Sequence, residues 1–296
     1  MPYIGEFAAL TAAFFWGFGA LLFESAGTRI GAFATNLLRL VLACIFLSIT
    51  LYFQAGFFFP LHASMENHLW LGLSGIIGLA IGDGALFYAI VILGPRLSTL
   101  LLSLAPPITT IIAWIFLGET LGLMAIAGIS LTLAAIIWVV SEKHKAEHIR
   151  GSKTIGVLFG FIAALGQGVG VILAKMGLTG NIDSLSATML RMVPATIGLW
   201  IVAVLIRQAQ PSIVALKNKM TALIILGGAL FGPYIGVWLS VVAVKYTKAG
   251  IASTLLSTVP ILIIPLDFVV HRRKPSIRAV IGTVLAVAGI ALIFLR

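Results

Sequence analysis

The sequence is short of charge. Asp, Glu, Lys and Arg make up 9% of its 296 residues, against about 25% in an ordinary soluble domain. So few charges cannot clothe a water-exposed surface, which excludes a soluble enzyme or binding module of this length. Cysteine is nearly missing as well. The lone Cys44 lies inside an apolar run, so there is neither a disulfide framework nor a thiol pair for metal or redox chemistry. No GxxxxGK[ST] loop is present to cradle nucleotide phosphates, and no HExxH. A TVGYG-like filter is absent too, which argues against an ion channel. His62 and His68 flank Glu66, and His144 and His148 sit in a polar connector. Loop histidines of this kind read as solvated, so no metal or other cofactor is expected. No Ser/His/Asp arrangement stands out, and an enzyme is not expected.

What the chain has in abundance is apolar length. The residues AVILMFWYC account for 60% of it, and the mean hydropathy is +1.15. The apolar runs are long and continuous, without the dyad alternation of a spanning barrel, so the fold class is an all-α polytopic membrane protein. Polar breaks place helices near 3–23, 30–53, 69–91, 96–116, 121–140, 154–176, 185–206, 220–243, 250–270 and 276–295. The opening MPYIGEFAALTAAFFWGFGA lacks a basic leader and reads as a retained first span. The net charge of +10 does not point to nucleic acid, because the basic residues sit in short loops where they orient the chain and meet lipid headgroups. Loops on one side carry Arg29, Arg96, Lys143, Lys145, Arg150, Lys153, Arg207, Lys217, Lys219, Arg272–Lys274 and Arg278. The other side has Lys175, Lys245, Lys248 and Arg296. The positive-inside rule puts the first set in the cytoplasm and both termini outside.

The chain also matches itself. STLLLSLAPP at 98–107 superposes on ASTLLSTVPI at 252–261, setting Leu101, Leu102, Ser103 and Pro106 over Leu255, Leu256, Ser257 and Pro260. NLLRLVLA at 36–43 likewise sets Arg39 over Arg191, FWGFG at 15–19 lies over GQGVG at 166–170, and Gly128 lies over Gly282. The expected organisation is a five-helix unit at 1–140, a charged connector at 141–153, and a second five-helix unit at 154–296. An odd helix number inverts the second unit relative to the first, an arrangement recurrent in alternating-access carriers with a site at the unit interface.

Several residues break the apolar pattern. Asp83 stands between Gly82 and Gly84 well inside the third span, where a carboxylate could receive a cation or proton; the bland alternative is a capped or distorted helix or a salt partner for Arg39 or Arg96, and its counterpart is Val237. Arg39 and Arg191, also deep, are candidates for coupling, for gating or for contact with an anionic group, with snorkelling as the bland alternative. Pro106, Pro107 and Pro260 are expected to bend the fourth and ninth helices and to free carbonyls one turn earlier. Ser103 and Ser257 are placed to satisfy those carbonyls or touch a ligand. Trp16, Asn36, Tyr88, Gln167, Tyr234 and Trp238, with Trp114, could line a central cavity. Trp70, Trp138 and Trp200 fit the interfacial belt. The series Gly228, Gly232, Gly236 and the pair Gly78, Gly82 offer faces for tight helix contact.

On AFFWGFG at 13–19, NLLRLVLA at 36–43, Phe87–Tyr88 and STLLLSLAPPITTIIAWIFLGETL at 98–121, the chain resembles the EamA type of the drug/metabolite transporter superfamily. In the second half the Gly-Glu turn is replaced by HRRK at 271–274, and Gln167 stands where tryptophan is usual. The resemblance implies ten helices and secondary transport of small organic metabolites such as amino acids, export being favoured, across the inner membrane. It also implies a cavity touched by Trp16, Tyr88, Ser103, Gln167, Trp238 and Ser257, and termini in the cytoplasm, opposite to the charge bias. Expected partners are the lipid bilayer, a small metabolite and, if Asp83 couples, protons. The protein would act as a monomer or homodimer. The alternative is a non-transporting membrane scaffold or sensor, whose unit interface would be collapsed or filled with lipid.

Overall fold

The computed structural model describes residues 3–93, 98, 101–140, 152–259, 261–262 and 276–294. These are helical almost throughout. The first two helices, α1 (Ile4–Ile30) and α2 (Ala32–Ala55), are joined by Gly31 alone, whose φ of 84° lets the chain reverse in one residue. A left-handed turn of this kind strains residues with a Cβ. A loop follows to Ser64, where the hydroxyl accepts the Asn67 amide and the Asn67 side chain returns a bond to the Ser64 amide. This reciprocal cap starts α3 (Met65–Ser74). The helix then widens into a π segment, Gly75–Gly82, and resumes as α4 (Asp83–Leu93). The short α5 (Ala105–Leu117) stops at Gly118, and α6 (Leu123–Val140) follows.

The second half repeats this plan. α7 (Lys153–Gly177) is followed by α8 (Ser184–Leu205), which Asp183 caps by accepting the Leu185 and Ser186 amides. A short helix, α9 (Ala209–Ala215), occupies ground that the sequence pattern left as loop. α10 (Lys219–Ala229) then widens into a π segment at Leu230–Gly236 and continues as α11 (Val237–Tyr246). α12 (Ala249–Leu256) and α13 (Ile277–Phe294) complete the described chain.

Six of these helical runs are long and apolar enough to cross a bilayer: Ile4–Gly27, Ala32–Ala55, Met65–Leu93, Lys153–Gly177, Ser184–Leu205 and Lys219–Tyr246. Three shorter apolar helices accompany them, Ala105–Leu117, Leu123–Val139 and Val280–Phe294. The protein is therefore a polytopic helical membrane protein. Its outer surface confirms the solvent. Phe53, Leu123 and Ile277 are more than four-fifths exposed, and Phe7, Trp114, Ile115 and Phe116 are also outside. Apolar area on that scale needs lipid around it.

The long helices are crossed between halves. α1 lies against α10, the second π segment and α11, while α7 lies against α3, the first π segment and α4. α2 packs on α8, with Leu37, Leu40 and Leu47 against Met189, Met192 and Leu199. α6 and α13 pair with each other at the periphery, where Gly128 meets the Gly289 backbone. The rings of Tyr3 and Phe7 meet Phe294, so the first and last described helices end at the same end of the molecule.

The fourth span differs from expectation. Pro106 and Pro107 do not bend a continuous helix; they occupy the first turn of α5, after a turn at Ser103–Leu104. A proline there forfeits an amide that has no partner within the helix anyway, so the break costs little. The ninth span breaks in the same place, α12 closing at Leu256 and Ser257 giving its hydroxyl to the Ser253 carbonyl at 2.9 Å. Pro260, Asp267, the central connector with His144 and His148, and the HRRK turn lie outside the described residues.

Candidate functional site: a buried ion cluster and a sealed end

Two glycine-on-glycine crossings set the geometry. A Cβ on Gly166 would stand 2.8 Å from the Gly82 Cα, and one on Gly170 would stand 3.0 Å from the Gly78 Cα, so α7 and the first π segment touch backbone to backbone. At Gly75 a side chain would run into the Arg191 carbonyl, which presses α8 onto the same segment. In the other half a Cβ on Gly19 would come within 3.3 Å of the Gly232 amide, and one on Gly236 would overlap the Trp16 indole. The sequence-aligned pairs thus make corresponding contacts: Gly19 with Gly232, and Gly170 with Gly78.

The π segments fall at matching places, and only the second contains a proline, Pro233. The proline is therefore not their common cause. Widened turns of this type concentrate at functional sites.

At the first crossing the side chains are charged. Arg39 ion-pairs through Nη2 with Oδ2 of Asp83. Its Nε donates to Asn36 Oδ1 at 2.8 Å, one turn earlier on α2. The guanidinium lies 5.5 Å from the Phe23 ring centre and 5.3 Å from that of Phe87, close enough for cation–π attraction. The second Asp83 oxygen, Oδ1, accepts from Gln167 Nε2, which reaches across from α7 and also touches the Gly78 carbonyl at 3.3 Å. One carboxylate therefore ties α2, α4 and α7 together. Arg39 and Arg191 are 8% and 5% exposed. They do not snorkel.

Arg191 is the exception in this cluster. Its Nε is buried with no hydrogen-bond partner. Its Nη2 would lie 3.5 Å from a Cβ on Gly78, next to Gln167, and Asp83 acts on it electrostatically without bonding to it. The expected residues thus divide. Asn36, Arg39, Asp83, Gln167 and Arg191 come together. Trp16 belongs to the second crossing. Tyr234 bonds Thr50 at 2.7 Å and stands beside Trp238, between α2 and α11. Tyr88 is half exposed and stacks on Phe159 at 5.4 Å, away from the ions. Ser103 is buried at the break before α5. Trp114 is 64% exposed on the outer surface. Among the described residues, no group of His, Cys, Asp and Glu could hold a metal.

A second network, at the end where Tyr3 and Phe294 meet, involves residues the sequence pattern passed over. Glu119, in the turn after α5, accepts the Ala249 amide at 2.7 Å and lies 3.5 Å from Lys175 Nζ. Lys175 also donates to the Thr247 carbonyl, and the Thr247 hydroxyl donates to buried Glu6 at 2.8 Å. Lys248 caps the Thr120 carbonyl, and Lys245 the Ile182 carbonyl at 2.6 Å. One turn deeper, Thr109 and Ser253 share a bond of 3.2 Å, so α5 and α12 are in direct contact. The three lysines that oppose the charge bias are thus all engaged within the protein, and this end is laced shut. Only the loop contacts reveal how Glu6, Lys175 and the Glu119 of the Gly-Glu turn are paired.

The architecture recurs among solved structures. One crystal structure superposes over 97% of this chain and 95% of its own with a TM-score of 0.77, at 17% identity, a likeness of fold alone. Among curated proteins, none matches the chain. A family model described as the EamA-like transporter family matches it twice, over residues 3–141 and 154–295. With two such domains spanning nearly its whole length, the chain belongs to the EamA-like transporter family and is a membrane transporter, not an enzyme.

Proposed function

We propose that the protein is a secondary carrier exporting a small organic metabolite, such as an amino acid, across the inner membrane by alternating access. Its ten helices form two inverted five-helix repeats, 1–140 and 154–296. The observation that carries this reading is the ion cluster itself. Charged and amide groups from both family domains meet away from water, between helices that touch backbone to backbone at glycine. Ionisable groups placed so deep are costly in a mere scaffold and mark a transport path. The corresponding glycine contacts at the two crossings support the inverted relationship.

The seal through Glu119, Lys175 and Thr247 closes one end of that path. The loop charges favour that end as the outside. An exporter loads its cargo in the state in which this end is closed. Asp83 is the natural group for proton coupling, because release from Arg39 and Gln167 would leave it free to accept one.

Saturable flux of metabolites from proteoliposomes, with cargo chosen by comparing metabolite pools of cells that express or lack the protein, tests transport. An inert vesicle preparation supports the scaffold alternative. Orientation is tested in a Cys44-free background: His62→Cys should react with an impermeant thiol reagent on intact cells and Lys217→Cys should not. The reverse result turns the protein over.

A further inference from the structure

We infer that Arg191 is the receptor for a singly charged carboxylate on the transported molecule. The inference rests on the transport reading and deepens it. The cluster holds two guanidinium groups and one carboxylate, and that carboxylate is fully engaged. Asp83 gives Oδ2 to Arg39 and Oδ1 to Gln167. Arg191 is left with a buried Nε that bonds to nothing, on a side chain 5% exposed.

The correspondence between halves shows where its partner is missing. Arg39 aligns with Arg191, and Asp83 aligns with Val237, which is apolar and buried. The first half supplies its own counter-charge; the second does not. An unpaired buried charge is unfavourable, and truncating its surroundings does not relieve it. The missing partner must therefore arrive from outside the chain.

The chemistry of that partner follows from the remaining charge. Arg39, Asp83 and Arg191 sum to a single positive charge, which one monoanion neutralises and a phosphate dianion would overshoot. A guanidinium with free N–H groups matches the planar fork of a carboxylate.

The test uses the full-length protein in neutral detergent, free of added lipid and of carboxylate buffers. Its thermal stability is followed against a library of amino acids and short monocarboxylic acids, each paired with its uncharged amide, with chloride and inorganic phosphate as controls. Some carboxylates should stabilise saturably, and their amides should not. Arg191→Lys, which keeps the charge but loses the fork, should weaken the apparent Kd about tenfold or more. Arg191→Gln, which removes the charge and keeps a polar side chain, should abolish the response while the protein remains folded, and Phe53→Leu on the exposed surface should retain it.

Several outcomes overturn the assignment: silence across the library, equal response to the amides, a response to chloride or phosphate alone, or carboxylate binding that survives Arg191→Gln. Flux of uncharged solutes without carboxylate binding would sink the assignment and leave transport standing. Carboxylate binding without flux of any solute would do the opposite.

Discussion

The two helix crossings share one scaffold and differ in chemistry. In each, a helix that widens into a π segment meets the first helix of the other half through glycine. At the first crossing the adjoining side chains are Asp83 and Gln167, with Arg39 paired to the carboxylate. At the second the aligned positions are Val237 and Trp16, and the indole fills the space against Gly236. Duplication explains the shared backbone. The difference separates backbone from side chains: close packing is common to both crossings, and the ion-paired carboxylate belongs to one.

The largest expected effect comes from making the charged crossing apolar. Asp83→Val copies the second crossing and strands Arg39 without its partner, which should cost about 3–5 kcal/mol and abolish flux. Adding Arg39→Leu removes the stranded charge. Thermal unfolding of the double variant should recover most of the loss while flux stays absent, separating stability from transport in one cycle. Additive losses in the double variant would mean that the pair is not energetically coupled.

Overfilling the glycine contacts ranks next. Gly166→Ala places a methyl 2.8 Å from the Gly82 Cα, and Gly19→Ala places one 3.3 Å from the Gly232 amide. The first should lose about 1–3 kcal/mol and the second less, read as the difference in detergent melting temperature. Equal losses would show that the π segments yield alike, and the comparison would then rest on charge alone.

The smallest effect concerns the laced end. Glu119→Gln keeps an acceptor for the Ala249 amide but gives up the charge facing Lys175. With a charge-assisted bond worth about 1.5–3 kcal/mol, a cysteine at buried Ala113 should be labelled from that end several-fold faster than in the unmodified network. An unchanged rate would remove Glu119 from the gate and leave it a loop anchor.

Much of this was legible in the residues, for a physical reason. A charge inside an apolar run has no cheap surface location, so Arg39, Asp83 and Arg191 declared themselves. The self-match also exposed Gln167 as a departure from its counterpart. The pairing of Asp83 with Arg39 was among the options the residues offered, but its bond to Gln167 was not legible, because which helices cross is a tertiary fact. The convergence of Glu6, Lys175 and the Glu119 of the Gly-Glu turn was not legible, because nothing local says that three loops meet. The π segments escaped because a widened turn has no residue code: Pro233 lies in one and Leu79 occupies the aligned place in the other. The broken fourth span was misread as bent, since proline inside an apolar run looks the same whether the helix continues or restarts.

The crossed packing of the long helices has a mechanical meaning. Because Gly31 alone joins α1 to α2, and α1 clasps α10 and α11 while α7 clasps α3 and α4, each family domain embraces part of the other. The sequence divides in its connector, but the machine does not divide there. The packed units are mosaics drawn from both halves, so a chain severed between Val140 and Lys153 should regain its shape only when the two fragments are made together, as two hands recover a clasp.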